Sequence, residues 1–212
     1  MKKIAIIILA VLWAASLSPA GGKITFGVKA GSISANMPAA DTAVEWSAKW
    51  GITGGAFACF VLDDVFSIQP EILYSPKGAR HSDSNGASTT TLSVSAPYID
   101  VPVLLKAFLP LGSTEGLRPT VFAGPYFGFK AGKGKYQEDV GGGGQHSTSE
   151  VPLTNLKGVD FGVVLGAGAE FPVGGMRFTF DIRWGTSLPT ISSAGDNLKN
   201  KAWSFLLGLS FS

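Results

Sequence analysis

Apolar residues recur at every second position in eight separate segments of this chain: 24–31, 50–61, 66–75, 98–107, 120–130, 159–171, 175–185 and 203–211. In "GMRFTFDIRWG" (175–185), Arg177, Thr179, Asp181 and Arg183 alternate with Phe178, Phe180, Ile182 and Trp184. An extended chain places the first set on one face and the second on the other. The pattern predicts eight strands of about 9–12 residues, long enough for a tilted strand to cross a bilayer. No segment has a helical period, and none repeats over 20 to 50 residues. The intervening segments 32–49, 78–93, 131–157 and 186–200 are long and polar or rich in Gly and Ser, whereas 62–65, 108–117 and 172–176 are short. Long and short connections in strict alternation predict an all-β, antiparallel, up-and-down barrel with its long loops on one side of a membrane.

Alternation alone leaves open which face meets water, since a soluble barrel of the lipocalin type with an apolar cavity alternates as well. Two features favour an apolar exterior. Gly124, Gly128, Gly162, Gly166 and Gly168 lie on the polar face. A narrow eight-stranded lumen needs such small residues to make space for a few charges. The aromatic residues of the apolar face also sort by depth: Trp50, Tyr74, Phe129, Trp184 and Trp203 fall beside the long loops, and Phe26, Phe60, Phe66, Phe171, Phe178 and Phe211 beside the short turns. Two aromatic belts around an aliphatic middle match a bilayer. Pro70, Pro102 and Pro125 interrupt strands, and local bulges are expected there.

Composition adds compartment and excludes partners. Lys2 and Lys3, the apolar run 4–15 and Ser18-Pro19-Ala20 predict a cleaved signal peptide over residues 1–20, followed by one barrel domain over 21–212. Without Lys2 and Lys3 the chain carries 15 basic and 15 acidic residues. This balance gives no indication of a nucleic-acid partner. Cys59 is the only cysteine, so neither an internal disulfide nor a lipid-anchored leader is expected. Charged residues make up 15% of the chain, well below the ~25–35% of a soluble surface, as expected if much of the exterior faces lipid.

The segments "SIQPEILYSPKG" (67–78), "YIDVPVLLKAF" (98–108), "PTVFAGPYFGF" (119–129), "DFGVVLGAGAEF" (160–171) and "FDIRWGTSL" (180–188) together resemble the PorT-type outer-membrane β-barrel family common in Bacteroidetes-like bacteria. The resemblance implies an eight-stranded transmembrane barrel of OmpA/OmpX-like architecture, in contact with outer-membrane lipid, in a Gram-negative cell outer membrane. It implies no particular activity. Barrels of this kind usually finish on an aromatic residue that the barrel-assembly machinery reads. Here Phe211 is followed by Ser212, so that signal is shifted by one residue.

Inside the barrel, Lys29, Lys106, Arg118, Lys130, Arg177 and Arg183 balance Glu71, Asp100, Asp160, Glu170 and Asp181. Unpaired buried charge is costly, so a mutually paired network centred on Glu71, Asp100, Lys106, Asp181 and Arg183 is expected to hold the lumen shut. If 78–93 closes a symmetric hairpin, Glu71 faces Asp100, and Arg183 or Lys106 reaches across to them. A proton or ion path through the same residues is the alternative. "HSTSE" (146–150) offers His146, Ser147 and Glu150, the reagents of some outer-membrane lipid-modifying enzymes. The preceding "GGGG" (141–144) predicts a flexible, solvated loop tip that holds no nucleophile in register. "GAGAEF" (166–171) lacks a dinucleotide fingerprint's third small residue, and Pro172 blocks its helix; "AGKGK" (131–135) lacks phosphate-loop spacing. His81 and His146 lie in different loops without metal-ligand spacing, and Cys59 is expected to fill space inside its strand. The sequence thus points to a non-enzymatic outer-membrane barrel without catalytic residues, cofactor or metal. Its lumen is charge-plugged and its outer loops can bind a protein or ligand. A narrow passive pore and a lipid-modifying enzyme are the alternatives.

Overall fold

The computed structural model describes residues 23–37, 46–86, 88–110, 116–142, 145–154, 156–192 and 198–211; the leader expected over 1–20 lies outside them. The described residues form ten antiparallel strands and no helix. In chain order these are β1 (Ile24–Asn36), β2 (Ser47–Val61), β3 (Phe66–Ser84), β4 (Ser88–Phe108), β5 (Arg118–Lys130), β6 (Gly134–Gly142), β7 (Gln145–Leu153), β8 (Val159–Val173), β9 (Met176–Ser187) and β10 (Lys201–Phe211). Eight of them run around a ring in the order β3, β2, β1, β10, β9, β8, β5, β4, and pairing of β3 with β4 closes it. Closure removes every sheet edge from the barrel wall, which is what a hydrocarbon environment requires of a β structure.

The wall is built inside out relative to a soluble barrel. Ile52 is 80% exposed and Leu207 67%, while Lys106 is fully buried and Asp181 is 1% exposed. The aromatic residues meet in register across strands. Trp203 pairs with Trp184 and with Ser34, which in turn pairs with Trp50. At the other rim Phe211 pairs with Phe26, and Phe171 stacks on Phe178 at 5.5 Å. Phe60 departs from the expected belt: it lies between Ile24 and Ile68 and is buried. A two-residue turn links β8 to β9 through Gly174 and Gly175, both at positive φ, a conformation that favours glycine in a tight hairpin.

Two expected outer loops are strands instead. Residues 78–93 continue β3 and β4 outward as a long hairpin, pairing from Gly78↔Ser95 to Ser84↔Thr89. Residues 131–157 contain the β6–β7 hairpin, which joins the outer part of β4 through Ser88↔Gly142 to Ser95↔Lys135. These stretches are mostly polar and carry only the short alternation of Leu92, Val94 and Ala96, although runs such as Thr89-Thr90-Thr91 favour extended backbone.

The bulges expected at the prolines are also absent. Pro70 pairs with Val103, Pro102 with Tyr126 and Pro125 with Val163, and each leaves a gap in the ladder on its other side without changing register. A proline nitrogen has no proton to donate, so one rung opens while the rungs above and below hold alignment. The register shift falls between Ala48 and Gly54 of β2, where Gly51 lies against the Pro76 ring.

Candidate functional site

The inward side chains form three tiers. In the middle tier, β3 supplies Glu71, β1 Lys29, and β9 both Asp181 and Arg183. Arg183 donates to both Glu71 oxygens at 2.5 and 2.9 Å and to Asp181 at 2.7 Å. Lys29 Nζ donates to Glu71 at 3.1 Å and to Asp181 at 2.5 Å. β3 and β9 stand four places apart in the eight-membered ring, so this cluster spans the full width of the lumen. Gln69 donates to Glu71 at 2.5 Å and accepts from Lys106 at 3.2 Å, which links the middle tier to the one below.

The lower tier, toward the short turns, holds Lys106 with Glu170 at 2.5 Å. A cavity of about 120 Å³ beneath it is lined by Cys59, Phe108, Arg118, Glu170 and Arg177. In the upper tier Lys77 reaches Asp100 at 3.0 Å and Asp160 at 3.2 Å, and Asp160 also accepts from Tyr126 and Asn200. A cavity of about 50 Å³, with Leu73, Tyr126, Val164 and Leu206 in its wall, separates the upper and middle tiers.

Aromatic rings and missing side chains make these tiers fit. Lys29 sits 4.7 Å from the Phe57 ring centre, Arg183 5.2 Å from that of Phe122, and Lys77 4.5 Å from that of Tyr126. Each cation therefore gains an aromatic face as well as a carboxylate in a low-dielectric interior. Inward glycines leave the volume these groups occupy. A Cβ on Gly166 would lie 2.7 Å from Phe122, one on Gly128 2.7 Å from Asp100, and one on Gly168 2.5 Å from Asp181.

Above the upper tier the barrel mouth is covered. Met37, Ala79, Ala96, Tyr98, Leu156 and Ile191 form a buried apolar cluster, with Trp46, Val94, Leu153 and Leu198 packed against it. Tyr98 and Lys130 bond the carbonyls of Lys157 and Leu156. They draw in the backbone at 156–157, and Lys157 N donates to the Ile191 carbonyl, which brings that residue in beside it over the opening.

The expected network is thus redistributed. Glu71, Asp181 and Arg183 meet in one tier. Asp100 and Lys106 lie above and below it, and neither touches Glu71. Asp100 stands opposite Leu73, because the β3–β4 hairpin turns one residue later than a symmetric 78–93 hairpin would, which offsets the cross-strand register by two residues. Such a slip preserves the face but displaces the residue by ~7 Å along the strand. Arg118 and Lys130 sit at the barrel ends, bonding carbonyls of Asp64 and Leu156. Lys77, Gln69 and Asn200 belong to the network unexpectedly. Lys77 was legible as the next inward position after Ser75, but its segment lies at the expected strand end. "HSTSE" is not a loop tip but part of β7, with Ser147 and Glu150 three positions apart and hence on opposite faces.

A family model described as "Outer membrane protein beta-barrel domain" matches residues 18–192. No curated protein matches the chain. Among solved structures, the chain is similar to the outer membrane protein OprG from Pseudomonas aeruginosa, with 10% identity, TM-score 0.49, and coverage of 90% of this chain and 96% of that one. It is similar to Neisserial surface protein A, with 12% identity, TM-score 0.44, and coverage of 88% and 96%. It is similar also to Ail, the attachment invasion locus protein of Yersinia pestis, with 12% identity, TM-score 0.39, and coverage of 88% and 98%.

Proposed function

The chain belongs to the outer membrane protein β-barrel domain family, and from that premise we propose that it is a non-enzymatic, closed outer-membrane barrel whose outer lobe is its binding part. The observation that carries this reading is the Arg183–Glu71 pair with Lys29 and Asp181, spanning the lumen from wall to wall. Passage of an ion along the axis requires these pairs to separate in a narrow, largely buried lumen, and leaving a buried charge without its partner costs about 3–5 kcal/mol. The apolar cluster over the mouth is a second barrier, impermeable for a different reason: it offers an ion no hydrogen bonds.

The outer hairpins support a binding role because they are built strands rather than tethers. β6 and β7 extend the β3–β4 hairpin into a four-stranded sheet above the membrane, which presents a fixed surface. In this reading residues 1–20 are a cleaved export signal and 21–212 the barrel domain. The β10 strand is what the assembly machinery engages, and the PorT-type family is the nearer kin. Planar-bilayer recording from purified full-length protein tests the closed lumen. The expected trace is flat at ordinary voltages; stable single-channel steps would replace this reading with a narrow pore.

A further inference from the structure

On the outer face of the wall, just beyond the aromatic belt, four strands align a set of basic groups. Lys49 of β2 extends past Gly78 of β3 to donate to Ser95 Oγ of β4, and Ser95 pairs in turn with Lys135 of β6. Gly78 lies beneath the crossing, where a Cβ would collide with the Val94 carbonyl oxygen and lie 3.2 Å from Lys49 Cδ. Together Lys49, Lys133 and Lys135 line a groove of about 310 Å³ with Trp50, Tyr74 and Pro76. Arg80 and Asp139 line the next depression outward, and Glu150 pairs with Lys135 at 2.8 Å with both side chains about half exposed. Four cations against two carboxylates leave the region positive.

Depth identifies the occupant. Trp50 is 62% exposed and level with Trp203 and Trp184, so the groove floor lies at the membrane's outer interface and the lysines in the layer of lipid headgroups. Ammonium groups at that height meet anionic headgroups, while a flat aromatic floor meets the apolar part of the same molecule. We propose that this groove seats the phosphorylated headgroup of an outer-leaflet lipid, with Lys49, Lys133 and Lys135 on the phosphate and Trp50 and Tyr74 against its acyl-proximal portion. The proposal rests on the outer-membrane placement of the barrel and is independent of whether the lumen conducts.

The test uses full-length protein in detergent micelles, with diphosphorylated lipid A as probe and native mass spectrometry as readout. Wild-type protein and K199Q/K201Q, altered at lysines away from the groove, are expected to hold one lipid A. K49Q/K133Q/K135Q is expected to lose affinity by about a hundredfold, at roughly fivefold per lysine. Heat-modifiable migration verifies that each variant is folded. If the triple variant misfolds, K133Q alone carries the test with about a fivefold loss, because Lys133 lies outside the strands. Undiminished binding by the variants, or equal binding of fully dephosphorylated lipid A, would overturn the proposal. Competition by inorganic phosphate at concentrations equal to those of the lipid would do so too, since it would make the groove a site for a soluble anion.

Discussion

Arg183 and Glu71 lie 112 residues apart in the chain and on diametrically opposite strands, yet the guanidinium holds both carboxylate oxygens at 2.5 and 2.9 Å. Two-pronged geometry makes the pair directional as well as strong. It acts as a strut across the barrel, fixing the separation of β3 and β9 where ladder hydrogen bonds fix only neighbours.

Removing one end of that strut should therefore cost more than a surface pair. Arg183→Met leaves Glu71 buried with Lys29 as its remaining cation and is expected to destabilise by about 3–5 kcal/mol. The measurement is the temperature at which the folded, fast-migrating form disappears in detergent. Arg183→Met/Glu71→Leu should recover part of the loss, because no uncompensated carboxylate remains. An unchanged temperature for Arg183→Met would refute the strut.

Filling a lumen glycine should also destabilise the barrel, though less than removing a charge. Gly166→Leu forces a side chain into the space of the Phe122 ring, which carries Arg183 on its face. Overpacking of this kind costs about 1–3 kcal/mol. Gly166→Leu/Phe122→Ala should restore the folded fraction seen by gel shift, and no recovery would mean that the backbone contact to Ile182 dominates instead.

Lipid exposure of the wall is directly measurable. Spin labels at Phe180 and Leu207 are expected to relax strongly with lipid-dissolved oxygen and weakly with an aqueous nickel chelate, because both positions face outward. A label at Asp181, 1% exposed, should respond to neither reagent. Strong nickel relaxation at Leu207 would contradict the inside-out wall.

The β6–β7 hairpin should be separable from barrel stability. It pairs only with the outer part of β4, whereas ring closure runs through β3 and β4 lower down. Deleting residues 134–153 and bridging the ends with Gly and Ser is expected to leave heat-modifiable migration intact while removing Lys135 from the outer groove. Loss of the folded form would show that the outer sheet is needed for closure.

Much of the architecture was legible because strand orientation is a local property. Lys29, Glu71 and Asp181 each declare an inward position by their own neighbours two residues either side, and Trp50, Trp184 and Trp203 declare depth by their distance from a turn. Less was legible where both strand faces are polar. Lys135 to Val140 carry no apolar period, and the alternation of Leu92, Val94 and Ala96 with Ser93 and Ser95 is too short and too polar to mark the outer sheet they form. Pro70, Pro102 and Pro125 misled for a related reason: the residue type announces a lost donor, but whether the ladder slips or merely opens depends on the rungs around it.

The eight-strand ring, the two rims and the face of most residues, Phe60 excepted, are written in consecutive residues, as a period of two and the order of long and short connections. Which charges meet depends on the folded barrel. Glu71 joins Arg183 and Lys29 rather than Asp100, and Lys77 takes Asp100 and Asp160, because the height of a side chain in the lumen is the accumulated register of every pairing around the ring. A register offset of two residues, set by a single turn placed one residue later, leaves every face unchanged and moves a carboxylate to another tier.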